Sequence, residues 1–165
     1  MFTKEQFIQS IQHETNICKH LYTKIPPGGL AYRPTPGQRS LLELMQYLTV
    51  IGSLTVQGLL RNDWSHVDEI IEKSKSQTAD RFCEAMDRQC EEIKRLLQPV
   101  TEEDLLHKDT TTVINTSIKM GEGLVILALK FLTAYRMQMF LYLKGAGVTD
   151  INTANCWLGM DRPAS

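Results

Sequence analysis

Several common signals are missing from this sequence of 165 residues, and each absence excludes a class of protein. No run of lysine or arginine is present and the formal net charge is −1, so we expect no nucleic-acid interface, which needs a clustered basic face. The cysteines form no C-x-x-C pair, and the first ten residues lack the basic and apolar regions of a signal peptide. The sequence therefore predicts a cytoplasmic protein with reduced thiols at Cys18, Cys83, Cys90 and Cys156.

Motifs of the common enzyme classes are also absent. The sequence contains no G-x-S-x-G and no phosphate-binding glycine loop followed by lysine. Its histidines are scattered, and no long predicted helix carries the H-x-x-x-H or E-x-x-H spacing of a metal centre. Cys83 and Cys90 share a helix face but lie two turns, about 10 Å, apart, too far for one zinc ion. We therefore predict no cofactor, no metal and no catalytic residue, and interpret the cysteines as small buried hydrophobic residues.

A long uncharged hydrophobic run is missing as well. The most apolar stretch, residues 123–143, is interrupted by Lys130 and Arg136. It therefore falls short of the roughly 20 uncharged residues of a membrane span. We interpret it as a buried helix and predict no membrane contact.

What the sequence does contain is a succession of amphipathic helices. Thr3 with Gln6, and Ser40 with Glu43, have the spacing of capping boxes at two helix starts. Apolar residues then recur at helical spacing. The first predicted long helix runs from residue 3 to about 23, and the second begins at residue 40 and has an apolar stripe down to Leu59. The third and fourth cover about residues 76–98 and 119–144.

Shorter predicted segments connect these helices. Residues 24–39 are rich in proline and glycine and form a long loop. Asp63 is the predicted N-cap of a short helix that ends at Lys73. Residues 101–118 are interpreted as a turn of helix followed by a short strand. The last long helix is expected to be the most buried element and to end at Gly145 and Gly147.

These elements predict an all-α, up-and-down four-helix bundle with short accessory helices, formed by a single domain over residues 1–165. Five polar or aromatic side chains in the second and fourth long helices form the candidate pocket. The four on the last helix are spaced by four, three and four residues and so share one face. Core packing is the simpler interpretation of these five residues, and an aromatic-lined ligand pocket is the more specific one. The set comprises Tyr47, Phe131, Tyr135, Gln138 and Tyr142.

The segment between Glu14 and Glu43 contains no acidic residue. A solvated basic loop explains this asymmetry most simply, and attraction of an anionic ligand or partner is the alternative. The basic residues of the segment are Lys19, Lys24, Arg33 and Arg39.

Two stretches resemble the DinB/YfiT-like superfamily. "YRPTPGQRSLLELMQYL" at residues 32–48 resembles the family's loop and second-helix entry, and "YRMQMFLYLKGAG" at residues 135–147 resembles its H-R-x-Q segment and the glycine after it. The matching residues are Arg33, Pro36, Gly37, Ser40, Glu43, Arg136, Gln138, Leu143 and Gly147. The resemblance covers nearly the whole chain and implies a bacterial source and a four-helix bundle, often dimeric.

Metal-binding members of this family hold a divalent ion with three histidines, and some are thiol transferases. At the matching positions this sequence has Tyr47, Phe131 and Tyr135. A neutral phenol with a pKa near 10 is a poor ligand for such an ion, and phenylalanine has no lone pair. The resemblance therefore implies the fold without the metal chemistry.

Three hypotheses about function follow from the sequence. The first is a non-catalytic domain that binds a small molecule or a protein partner in the former metal cleft. The second is a transferase or hydrolase with a displaced metal, using His13 or His20 with Glu14. The third is a structural homodimer formed through exposed helix faces.

Overall fold

The computed structural model describes residues 2–162, and most of these residues are helical. Four long helical stretches pack side by side: α1, α2, α4 and the continuous helix formed by α6, a π-helical segment and α7. The predicted all-α four-helix bundle is therefore confirmed. The helices are α1 (Lys4–Tyr22), α2 (Leu41–Arg61), α3 (Val67–Ser74), α4 (Phe82–Leu97), α5 (Glu102–His107), α6 (Met120–Gly123), the π-helical segment (Leu124–Leu129), α7 (Lys130–Gly145) and α8 (Thr153–Trp157).

A small hairpin and two 3-10 turns complete the described residues. Strands β1 (Asp109–Thr111) and β2 (Ser117–Lys119) are antiparallel, with Thr110 opposite Ile118. The sequence predicted a single short strand in this region. The 3-10 turns are Gly29–Ala31 and Ala79–Arg81.

Local capping chemistry fixes both predicted helix starts. The Thr3 hydroxyl accepts a hydrogen bond from the backbone N–H of Gln6 at 3.1 Å, and the Gln6 side chain accepts one from the N–H of Thr3. Ser40 and Glu43 form the same reciprocal pair at the start of α2. Each pair satisfies two N–H groups that a helix start leaves without partners.

The end of α7 also follows its sequence signal. Gly147 has a φ of 97°, a conformation that glycine adopts without strain. Its N–H donates to the carbonyl of Lys144, and the N–H of Val148 donates to the carbonyl of Leu143. These two bonds form a Schellman motif, which satisfies the last carbonyls of the helix.

Two predicted helix starts are wrong. Asp63 does not cap α3, because its carboxylate accepts a hydrogen bond from the N–H of Ser65 in a local turn, and the helix begins only at Val67. The third long helix begins at Phe82 rather than at residue 76, because the preceding residues form an irregular link and a 3-10 turn.

The most buried long helix is α2, not the last one as predicted. Thirteen of its 21 residues are buried, because α3, α4, α7 and the π-helical segment all pack against it. In the helix Met120–Gly145, 33% of the most apolar 18-residue stretch is buried. Apolar residues such as Leu141 instead lie on its outer face.

The helix Met120–Gly145 is long and apolar enough, by length and composition alone, to cross a membrane. The charges of Lys130 and Arg136 therefore do not by themselves exclude a membrane span. Its packing against α1 and α2 is that of a bundle helix. The absence of membrane contact stays a prediction.

A side chain from α4 is inserted into the backbone of α2. The amide of Gln89 donates to the carbonyl of Leu48 at 2.9 Å and accepts from the N–H of Gly52 at 2.7 Å. In a regular α-helix, this carbonyl and this N–H would hydrogen-bond directly to each other. Gly52 leaves room for this approach, since a Cβ there would lie only 3.1 Å from the side-chain oxygen of Gln89.

A buried ion pair joins α1 to α7 and is covered by α8. Arg136 is fully buried, and its Nε lies 2.8 Å from a carboxylate oxygen of Glu14. Its Nη1 donates to the Cys156 sulfur at 3.2 Å, and the guanidinium lies 4.7 Å from the Trp157 ring centroid. Arg136 thus links three helices through one polar centre.

Candidate functional site

The structure brings three of the five predicted pocket residues into direct contact. The ring of Tyr47 on α2 meets the ring of Tyr135 on α7 edge to face, with centroids 4.9 Å apart. Phe131, one turn earlier on α7, packs against Tyr135 with centroids 6.4 Å apart. Edge-to-face contact is a favoured arrangement of aromatic rings. The space between the two helices is therefore filled by packed side chains at this level.

The chemistry of this cluster does not suit a metal ion. Burial, and next the adjacent Tyr135, raises the pKa of Tyr47 to about 12, so its phenol stays protonated at neutral pH. A protonated phenol and a phenyl ring offer no good ligand to nickel or zinc. Within residues 2–162, no group of three or more histidine, cysteine, aspartate or glutamate side chains lies close enough together to hold an ion.

The other two predicted residues form a separate pair further along α7. The Gln138 amide donates to the Tyr142 hydroxyl at 2.7 Å. Tyr142 is 3% exposed and packs edge to face against Tyr32 from the long loop. This pair follows the packing interpretation of the sequence, with the tyrosine hydroxyl satisfied by a neighbour.

An open cleft lies beside Tyr47, at the start of α2. Its volume is about 250 Å³, where one water molecule needs roughly 10–15 Å³. The loop after Tyr32, the first turns of α2 and the end of α3 form its walls. Its lining residues are Arg33, Gly37, Gln38, Arg39, Glu43, Gln46, Tyr47, Ile71, Ser74 and Lys75.

Arg39 is the distinctive cation of this cleft. Its guanidinium carbon lies 4.2 Å from the centroid of the Tyr47 ring, a cation–π contact. The other three cations of the basic segment are all in ion pairs, Lys19 with Asp87, Lys24 with Asp161 and Arg33 with Glu43. Within the described part of the chain, no carboxylate lies within ion-pair distance of Arg39.

The hydrogen-bonding groups of the remaining polar side chains in the cleft are largely engaged. Glu43 accepts from the Ser40 N–H at 2.6 Å and pairs with Arg33, and the pKa of its carboxyl is lowered chiefly by the Ser40 bond. The Gln46 amide donates to the carbonyls of Lys75 and Gln77. These bonds hold the end of α3 against α2 and so fix one wall of the cleft.

Sequence reasoning identified only part of this cleft. Tyr47 and the basic loop residues were noted separately, but nothing in the sequence joined them. Ile71, Ser74 and Lys75 were missed, since they lie at the end of α3, and the position of this short helix depends on the tertiary hydrogen bonds of Gln46.

The residues of the displaced-metal hypothesis do not converge. The carboxylate of Glu14 is paired with Arg136. His13 Nε2 lies 2.9 Å from the carbonyl oxygen of Trp157, and His20 Nε2 lies 3.0 Å from the side-chain amide of Asn155. Burial lowers the pKa of His20, which favours the neutral form that can accept this bond. Each side chain thus has its own structural partner.

The cysteines offer no activated thiol. Three of them are buried and Cys83 is half-buried. Burial raises the pKa of the Cys18 thiol and of the Cys156 thiol, although Arg136 lies beside the latter. A nucleophilic cysteine needs a lowered pKa and access to solvent.

Two solved structures resemble this chain closely in fold. A DinB-like protein of Bacillus subtilis, YjoA, matches with a TM-score of 0.69 and 18% identity, over 89% of this chain and 96% of its own. A DinB-like protein of Bacillus cereus matches with a TM-score of 0.69 and 16% identity, over 93% of this chain and 99% of its own. No family model and no curated protein matches the sequence. The chain has the DinB-like fold, as the resemblance in its sequence implied.

Proposed function

We propose that this chain is a DinB-like domain without the three-histidine metal site, and that it binds a small molecule in the cleft beside Tyr47. The supporting observation is the edge-to-face contact of Tyr47 and Tyr135. Their rings occupy the positions at which the resemblance places metal ligands. The open space that is left lies on the side of Tyr47 that faces Arg39.

A bundle core can contain both a metal site and a ligand-binding cleft, and the proposal assigns only the cleft to this chain. A metal site needs several lone-pair donors that point to one centre. Phe131 has none, and the Tyr47 phenol is kept protonated by burial. A binding cleft needs only a concave surface with a few polar groups and an apolar wall. Tyr47 and Ile71 supply that wall, and Arg39 supplies a polar group.

Measuring the metal content of the protein tests whether the three-histidine metal site is absent. The purified protein is incubated with Ni²⁺ and Zn²⁺, desalted and examined by elemental analysis. We expect far less than one ion per chain. The matched control is the triple variant Tyr47→His, Phe131→His and Tyr135→His, which restores three imidazoles. If the wild type retains one ion per chain, and Tyr47→Phe and Tyr135→Phe lose that ion, the proposed absence of the metal site is refuted.

A fragment screen by two-dimensional NMR tests whether the cleft binds a small molecule. We expect some compounds of a neutral and charged fragment library to shift amide signals of residues 33–39 and of the end of α3. Tyr47→Leu should weaken this binding. Tyr22→Leu is the control, since Tyr22 is also half-buried but packs against Phe82. If no fragment shifts these signals, or if Tyr47→Leu has no effect, small-molecule binding here is refuted.

A further inference from the structure

We infer that the cleft beside Tyr47 takes a small anion whose carboxylate or phosphate group is bound by Arg39, with Lys75 as a second cation. This inference rests on the proposed function, because it names the class of ligand for the same cleft. It is carried by three observations: the unpaired guanidinium, the engaged acceptors and the apolar wall.

The cleft has free hydrogen-bond donors and few free acceptors. Its only carboxylate, Glu43, is already held by the Ser40 N–H and by Arg33. The Arg39 guanidinium carries five N–H donors and stands without a carboxylate partner among residues 2–162. A ligand that offers acceptors and negative charge fits such a surface.

The stacking of Arg39 on Tyr47 prepares the guanidinium for this role. The guanidinium carbon lies over the face of the ring, 4.2 Å from its centroid. The contact holds the guanidinium beside the cleft, and no carboxylate among residues 2–162 pairs with its N–H donors. A planar fork of donors matches the two oxygens of a carboxylate or a phosphate, and the stacking reduces the conformational freedom that binding must remove.

The other two cations of the cleft have different roles. Arg33 donates to the carbonyl of Gln38 at 2.6 Å and pairs with Glu43, so it shapes the loop. Lys75 is exposed and lies close to Glu72, an exposed pair of the kind that contributes little. Its ammonium is therefore available as a secondary contact. Three cations and one carboxylate line the cleft, whereas the whole chain carries a formal charge of −1.

The apolar part of the wall limits the rest of the ligand. Ile71 and Tyr47 face the same space as the cations. A molecule with one anionic group and a small apolar or aromatic body would bury both parts. Benzoate, phenyl phosphate and the neutral isostere benzamide are therefore suitable probes.

The test titrates each probe into isotopically labelled protein at low ionic strength and follows the amides of residues 33–39. We expect benzoate or phenyl phosphate to bind at least about tenfold more tightly than benzamide, the factor that one well-placed charged contact gives. The tighter of the two anions identifies the group as carboxylate or phosphate. Raising the salt concentration should weaken both.

Paired variants locate the contact. Arg39→Gln should weaken anion binding about tenfold or more, and Lys75→Gln should weaken it less. Lys73→Gln and Arg88→Gln are matched controls, because they remove exposed cations outside the cleft and should have no effect. Circular dichroism confirms that each variant is folded.

The outcomes separate the two proposals. If benzamide binds as tightly as the anions, or if Arg39→Gln leaves anion affinity unchanged, the anion inference is refuted while the cleft remains a binding site. If the two controls weaken binding as much as Arg39→Gln does, the anions bind non-specifically, and the inference is refuted too. If none of the three probes shifts the signals of the cleft residues, the anion inference is refuted, and the fragment screen decides whether the cleft binds other small molecules.

Discussion

Arg136 is the largest of the fully buried side chains in residues 2–162, and its charge is balanced inside the bundle by Glu14. Removing one partner of such a pair leaves the other charge buried without compensation. The sequence resemblance matched Arg136 to a family motif but said nothing of its partner. In the structure, its role is to hold α1, α7 and α8 together.

Arg136→Met should therefore lower the free energy of unfolding by about 3–5 kcal/mol. The measurement is urea denaturation followed by circular dichroism. Adding Glu14→Leu to this variant should recover much of the loss, because two apolar residues of suitable volume need no partner. The matched control Arg95→Met removes an exposed arginine on α4 and should change stability by less than about 1 kcal/mol. A loss for Arg136→Met no larger than that of the control would contradict the assignment.

Glu43 gives a prediction of pH dependence. The Ser40 N–H is the main cause of the lowered pKa of its carboxyl. A carboxylate with a lowered folded pKa stabilises the fold above its ordinary value of 4.5, and this contribution is lost as the pH falls through the folded value. The stability difference between wild type and Glu43→Gln should therefore shrink between about pH 6 and pH 3.

Thermal unfolding across this pH range measures the effect. Glutamine retains an acceptor for the Ser40 N–H, so the comparison isolates the charge. Glu103→Gln serves as the control, since Glu103 is exposed in the first turn of α5 but does not form its capping box. A constant difference between wild type and Glu43→Gln over the whole range would contradict the prediction.

Some helix starts and ends could be predicted from local sequence signals alone. The starts of α1 and α2 follow from capping boxes whose partners are three residues apart, and the end of α7 follows from Gly147. Such features need no tertiary information. Asp63 had two local options, a helix cap or a turn; the sequence predicted the cap, and the structure has the turn.

Elements that depend on distant partners could not be predicted. The hairpin is attached to α2 through Asn62, whose side chain accepts from the N–H of Thr111 at 2.8 Å. The cleft needs α3 to lie against α2, which the Gln46 amide secures from about 30 residues away. The pair of Glu14 and Arg136 spans 122 residues. Each of these contacts joins two elements, so the apolar periodicity within one element carries no information about it.

Gly58 on α2 shows what close packing between elements demands. A Cβ at this position would lie 2.7 Å from the Trp64 ring. That ring cannot easily move, because its Nε1 donates to the carbonyl of Thr111 at 3.0 Å. Gly58→Ala should therefore destabilise the fold by about 1–3 kcal/mol, despite the better helix propensity of alanine.

Chemical denaturation measures this cost. Gly37→Ala is the control, because a Cβ there meets no atom within 4 Å and the residue does not have a positive φ. This variant should be neutral or more stable by up to about 1 kcal/mol. If Gly58→Ala and Gly37→Ala behave alike, the Trp64 contact does not require glycine.

At the scale of the whole molecule, the fold was predictable because helix number, order and loop length all indicate one bundle. The single-domain organisation, the cytoplasmic location and the homodimer stay predictions. Exposed apolar side chains at the C-terminal end of the described chain offer one surface for self-association. They are Trp157, Leu158 and Met160.

Light scattering at several protein concentrations measures the oligomeric state. We expect a dimer whose population falls on dilution, and we expect Leu158→Ser with Met160→Ser to shift it toward monomer because it removes apolar surface. Val113→Ser with Ile114→Ser removes exposed apolar residues from the hairpin tip and is the control. A monomer at all concentrations would refute the homodimer.

The covering of Arg136 by Cys156 and Trp157 has a consequence for the bundle interior. The first partner of this arginine lies near the start of the chain, and its cover lies close to the other end. Undocking of α8 alone would therefore open the guanidinium to water without separating the four long helices. The dryness of the bundle interior thus depends on one of its shortest helices.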